Sequence, residues 1–164
     1  MKRKQTSKRQ ESRSKAPSWD EVAFSLLGLG TLALNLDESN RLRIPVPIQT
    51  RFLAGEPATM ACSLKGQPLH VFLKAHYLDY VDYVKSVFPE FRGADLPFFQ
   101  RRCRDLVTDS SGRWNLCSRL GDFANVVVLT SQAAIIEIWN SAEWEKYEQQ
   151  PFVGADAGGD AKIN

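Results

Sequence analysis

Apolar positions in this chain switch between two periods. Leu32, Leu34 and Leu36 share one face of a strand over residues 31–36, and Leu42 and Ile44 share one face of a strand over 41–44. Between them Asp37-Glu38-Ser39-Asn40 reads as a turn, with Asn40 tolerating a positive φ. The stretch therefore predicts strand, tight turn and returning strand. Pro45 and Pro47 end it, and residues 46–53 read as a short helix closed by Gly55 and Pro57. Residues 59–64 and 69–73 predict strands around the turn Lys65-Gly66-Gln67-Pro68. Tyr77, Tyr80, Val81, Val84 and Phe88 then fall at helical spacing before Pro89 stops the helix. Upstream, Ser18 with Glu21 three residues later predicts a capping box for a helix over 18–26.

The same order returns. Leu96, Phe99, Cys103 and Leu106 lie on one helical face, and residues 106–108 and 114–117 flank the turn Asp109-Ser110-Ser111-Gly112. A short turn or helix over 119–123 follows, then a hairpin from 126–130 and 135–139, then a helix capped by Ser141 and running to about residue 149. Leu36-Asp37-Glu38-Ser39-Asn40-Arg41-Leu42-Arg43-Ile44 is echoed 72 residues later by Thr108-Asp109-Ser110-Ser111-Gly112-Arg113-Trp114-Asn115-Leu116. Leu69-His70-Val71-Phe72 with Tyr77 and Tyr80 is echoed by Ile136-Glu137-Ile138-Trp139 with Trp144 and Tyr147, at an offset of 67. Two close offsets in one order define a duplicated unit, which is expected to need its second copy to bury its apolar face. An α+β fold, a small mixed β-barrel with short outer helices, is the economical way to hide the edges of such short strands.

Length and charge refine this. At 164 residues the chain is one ordinary domain or two very small ones. Residues 1–16 hold seven basic residues against Glu11, a net +6, while the remainder carries 14 basic and 18 acidic residues, a net −4. The basic arm is expected to be disordered and drawn to polyanions; its rival reading is a solvated tail that aids solubility. Residues 151–164 are Gly-, Ala- and Asp-rich and are also expected to be disordered. Cys62, Cys103 and Cys117 are odd in number and lack C-x-x-C spacing, which fits free buried thiols in a reducing cytosol. The apolar run over 24–36 is shorter than the ~20 residues a bilayer requires. Asp20 and Glu21 directly precede it, and no small-x-small site follows, which argues against a signal peptide. His70 and His76, the only histidines, have no partners at metal spacing. No nucleophile–base pair or Gly-rich phosphate loop stands out, so neither cofactor, small-molecule substrate nor catalysis is expected.

The order Gly30-Thr31-Leu32…Asp37-x-x-x-Arg41-Leu42-x-Ile44-Pro45, then Asp109-x-x-Gly112-Arg113, then Glu137-Ile138-Trp139…Trp144 resembles the MraZ family of bacterial transcriptional regulators, linked to the division and cell-wall gene cluster. The resemblance spans about residues 29–147. It implies two SpoVT-AbrB-like swapped-hairpin halves, 29–90 and 91–150, after a lead-in of 28 residues. It further implies a homo-oligomeric ring that binds double-stranded DNA at promoter direct repeats, in the cytoplasm at the nucleoid. The arginine most tied to DNA in the family falls on Arg41. Arg43 shares its strand face, and Arg51 is the nearest downstream charge, because Pro47 interrupts a stretch that is usually more basic. Asp37, Asn40, Asp109, Gly112 and Arg113 are expected to hold the turns, Asn40 standing where the family has glycine. A competing reading pairs Arg41 with Asp37 on the surface. Arg101, Arg102 and Arg104 offer either a phosphate site or a solvated face pairing with Asp95 or Asp105. Trp114, Trp139, Trp144, Tyr77 and Tyr80 are expected to anchor core or interfaces rather than stack on bases. Two other functions compete: an oligomeric scaffold or protein-interaction module that has lost DNA recognition, and an antitoxin-like regulator on the same fold.

Overall fold

The computed structural model describes residues 16–55 and 57–151. The disorder expected of the basic arm and of the C-terminal tail therefore falls outside the described residues, apart from Ala16 and Pro151. Helix α1 (Trp19–Leu26) opens on the expected capping box. The Glu21 N–H donates to Ser18 Oγ at 3.2 Å, and the Ser18 N–H donates to Glu21 Oε2 at 2.7 Å. Strands β1 (Leu32–Asn35) and β2 (Arg41–Arg43) flank the first turn. Helix α2 (Val46–Arg51) accommodates Pro47 in its first turn, where no intrahelical N–H is needed. There follow β3 (Thr59–Cys62), β4 (Leu69–Leu73), α3 (Tyr77–Val87), α4 (Leu96–Arg102), β5 (Cys103–Leu106), β6 (Arg113–Asn115), β7 (Val126–Gln132), β8 (Ile135–Asn140) and α5 (Ser141–Gln149).

Two local expectations are corrected. Helix α4 stops at Arg102, so Cys103 and Leu106 leave its face and enter β5, where β3 supplies antiparallel partners. Asn140 rather than Ser141 occupies the α5 N-cap, and no side-chain cap bond forms there. Asn140 Oδ1 instead accepts from the Ala124 N–H at 2.8 Å, tying the helix start to the loop before β7.

All strand pairs are antiparallel. Six strands form a sheet in the order β1-β7-β8-β4-β3-β5, and β2 pairs with β6 as a separate ribbon. The order is palindromic: each strand of one copy sits where its counterpart would sit after a half-turn about the β8–β4 seam. His70 faces Glu137 across that seam, and Leu42 faces Trp114 in the ribbon. The returning strand β2 thus does not pair with β1, as a simple hairpin would have it, but crosses to its own counterpart. Hydrogen bonding does not close the described sheet into a barrel, because β1 and β5 remain its edges. The ribbon completes the enclosure instead. Leu42, Ile44, Trp114 and Leu116 join Leu69, Val71, Val127, Leu129, Ile136 and Ile138 in one buried cluster, with α1 and α2 at its margin.

The opposite sheet face carries a second cluster. Phe72, Cys62 and Cys103 meet Tyr80, Val84, Phe91 and Phe99 from α3, α4 and the turn between them. Strand β4 is buried along its whole length because both faces are covered. The Tyr80 ring stacks on Phe72 at 4.0 Å between centroids, and its hydroxyl lies 2.8 Å from His70 Nδ1. His70 Nε2 has no partner among the described residues. Burial holds the His70 pKa down at about 4, from an ordinary value of 6.5. Among the described residues no helix is long and apolar enough to cross a membrane.

Because folded His70 resists protonation, its contribution is fully present above pH 6.5 and is lost as pH falls toward 4. Urea unfolding across that window is expected to show a loss of about 3 kcal/mol from this group alone. His70→Gln should flatten the slope in the same measurement; an unchanged slope would place the titration elsewhere.

Candidate nucleic-acid interface

Each copy of the repeated motif builds the same turn around one carboxylate. In the first, Asp37 Oδ1 accepts from the N–H groups of Ser39 and Arg41, both at 2.9 Å, and Oδ2 accepts from Arg41 Nε at 2.8 Å. In the second, Asp109 Oδ1 accepts from the N–H groups of Ser111 and Arg113 at 2.9 and 3.0 Å, and Oδ2 accepts from Arg113 Nε at 2.9 Å. The main chain closes both turns alike, with the Asn40 N–H donating to Asp37 O and the Gly112 N–H to Asp109 O. Asn40 and Gly112 take left-handed conformations at φ 56° and 72°. This is why one copy tolerates asparagine where the other has glycine.

Two further bonds knit the motifs together. The Ile44 N–H donates to Gly112 O at 3.0 Å, and the Leu116 N–H donates to Asn40 O at 2.9 Å. Each left-handed residue therefore receives the strand that leaves the other turn. Gln49 of α2 seals the second turn, its Nε2 donating to Ile44 O and lying against Gly112. Sequence reasoning gave Gln49 no part, and its five-residue spacing from Ile44 carries no familiar signal.

The Asp37 pKa is held below the ordinary carboxylate range, chiefly by the Arg41 N–H, then by Ser39 and the Arg41 guanidinium. For Asp109 the largest single influence is desolvation, which pushes upward. The Arg113 and Ser111 N–H groups and the Arg113 guanidinium outweigh it and hold the pKa low. Both carboxylates thus stay ionised and their arginines stay aimed.

The ribbon's inner face is Leu42 and Trp114, both fully buried; its outer face is Arg41, Arg43, Arg113 and Asn115. The Arg41 and Asp37 side chains remain about a third exposed, at 36% and 34%. Arg113 also reaches toward Asp37, at 3.7 Å, so one carboxylate faces an arginine from each copy. Arg43 is exposed, lies opposite Arg113 in register, and has no ion-pair partner among the described residues. Like charges directly opposite on antiparallel strands are unfavourable. Arg51 is exposed at the end of α2.

The Arg101, Arg102 and Arg104 cluster divides. Arg102 turns its guanidinium over the Phe98 ring at 3.6 Å and donates to Phe98 O. Asp105 pairs with Lys74 rather than with an arginine, and Asp95 caps α4 through the Phe98 N–H. Trp114 and Tyr80 are buried core residues. Trp139, Trp144 and Tyr147 pack on one another at 5.0–5.4 Å between ring centroids. No group of three or more His, Cys, Asp or Glu among the described residues is arranged to hold a metal ion.

Geometry of this kind defines a chain of two interleaved copies of one strand–turn–strand unit, with a central arginine-bearing ribbon. Residues 105–156 match a family model described as "MraZ protein, putative antitoxin-like". The matched stretch includes the second turn, the β7–β8 hairpin and α5, and the family is the one that residues 29–147 resemble. No curated protein matched the chain.

Gly112→Ala should cost about 1–2 kcal/mol, from the left-handed backbone and the nearby Gln49 amide, whereas Asn40→Gly should be close to neutral. Chemical denaturation of both variants checks this. Asp37→Asn and Asp109→Asn should lower the melting temperature to similar extents. Each should also remove part of the stability that the wild type holds above pH ~4 and loses below it.

Proposed function

We propose that the chain is a sequence-specific DNA-binding transcriptional regulator of the MraZ type, acting as a homo-oligomeric ring on promoter direct repeats at the nucleoid. One observation carries the reading: Arg43 and Arg113 oppose each other on the exposed face of the ribbon, with Arg41 alongside. A like-charge pair in that register does nothing for the sheet and is relieved by an anion. Asp37 and Asp109 fix the Arg41 and Arg113 side chains through Nε, which leaves the terminal nitrogens of Arg41, and the Arg113 terminal nitrogen not turned toward Asp37, to reach a phosphate or a guanine edge. Arg43, lacking a carboxylate partner among the described residues, adds the least encumbered charge. In a ring of AbrB-type swapped-hairpin subunits this ridge recurs at regular spacing, as repeated operator sites require. The basic arm of residues 1–16 supplies further phosphate affinity.

A second reading rests on the same carboxylates. Two aspartates among three arginines leave the ridge only mildly basic, and residues 17–164 carry a net −4. The family model's antitoxin-like description agrees with a protein-binding role in which the ridge meets an acidic partner.

Fluorescence anisotropy on DNA from the chain's own upstream region distinguishes them. Binding should fall with salt, and Arg43→Ala should reduce the slope of log K against log salt by about 0.9, the yield of one phosphate contact. Deleting residues 1–16 should flatten the slope further without altering the melting temperature. Absence of binding at low salt on any direct-repeat promoter would overturn the regulator reading.

A further inference from the structure

The Cys62 and Cys103 thiols face each other across β3 and β5, one of the strand pairs that join one copy to the other. They are register partners, buried on the same sheet face. The neighbouring pair is hydrogen-bonded, the Ser63 N–H donating to Arg102 O at 3.2 Å, while the Cys103 N–H is used by α4 in a bond to Phe99 O. Narrow and wide pairs alternate along an antiparallel ladder, so Cys62 and Cys103 occupy a non-hydrogen-bonded pair, with Cα atoms about 4.5 Å apart. That separation falls at the short end of the range of about 4.4–6.8 Å that a disulfide spans.

We propose that Cys62 and Cys103 form a peroxide-sensitive dithiol that closes to a disulfide across β3 and β5. Access comes through a cavity of about 350 Å³ lined by Met60, Lys74, Tyr77, Gln100 and Cys103. Cys117 is the remaining thiol among the described residues and lies in the loop after β6, outside the second core cluster. The Cys62 thiol is held below its ordinary range, chiefly because its thiolate accepts a hydrogen bond from Cys103; burial opposes this lowering, and Tyr80 and Arg102 add to it. The same hydrogen bond and burial hold the second proton on. The charge thus rests first on Cys62, and a proton shift along the shared S–H···S bond passes it to Cys103, the sulfur that lines the cavity.

The chemistry balances with a hydroperoxide as oxidant. The Cys103 thiolate attacks one peroxide oxygen; an S–O bond forms, the O–O bond breaks, and the departing oxygen takes a proton and leaves as water or an alcohol. The Cys62 sulfur then attacks the sulfenic sulfur. An S–S bond forms, the S–O bond breaks, and water leaves with the Cys62 proton. Two thiols have given up two electrons to one peroxide.

The test treats the full folded chain with hydrogen peroxide, then alkylates it in denaturant and maps its peptides by mass. The expected result is one cross-linked peptide pair holding Cys62 and Cys103, alkylated Cys117, and reversal by dithiothreitol. Cys117→Ser should give the same cross-link. Cys62→Ser should leave Cys103 as a sulfenic acid that dimedone traps; if that variant does not fold, the wild-type and Cys117→Ser maps decide. Alkylation of all three thiols after peroxide, a bridge through Cys117, or over-oxidation of Cys103 without a bridge would each overturn the proposal.

Discussion

Everything in this molecule hangs on a carboxylate that does three things at once. Asp37 and Asp109 each accept two turn N–H groups and a guanidinium, so one side chain satisfies donors that a four-residue reversal would otherwise expose. The reversal is sharp enough to lift the following strand off its predecessor. Beyond the bonds that close each turn, β2 and β6 pair with each other. Leu42 and Trp114 then fall inward over the sheet, and the arginines on alternate positions fall outward. A change in either turn is therefore felt by core and surface together.

Much of the architecture was legible because its signals are local. The period-2 leucines before Asp37, the capping box at Ser18 and the tyrosine spacing of α3 need no knowledge of the rest of the chain, and each appears where those signals put it. The boundary between α4 and β5 was illegible for the opposite reason. Cys103 and Leu106 keep helical spacing with Leu96 and Phe99, and only the presence of β3 turns the backbone extended. The same holds for β2, whose partner lies 72 residues away rather than across the turn. In the candidate site, the turn aspartates were readable from composition. That Arg43 would face Arg113 was not, since it depends on the register of two distant strands.

The two copies have also diverged in what covers them. Helix α3 lies beneath Trp19 of α1 and beside Phe91, and its Tyr80 is wholly buried. Helix α5 holds the matching place in the second copy but buries none of its residues, and Tyr147, at the position of Tyr80, is half exposed. Segments lying outside the duplicated motifs account for the difference: Trp19 of α1 and Phe91 of the α3–α4 connection cover α3, and no described segment covers α5 in the same way. The half-turn symmetry is thus a property of the strands and turns, not of the surface.

The palindromic sheet bears on how the chain is made. Four of the six strand pairings join a strand of one copy to a strand of the other, and only β3–β4 and β7–β8 are local hairpins. A ribosome delivers the first copy long before β7 and β8 exist. Until then β1 and β2 have no partners, and the nascent chain can hold little more than one hairpin and α3. Assembly must wait for nearly the whole chain, so folding should be slow for a protein of this size. During that wait the unpaired apolar strands are open to the same strands of neighbouring chains.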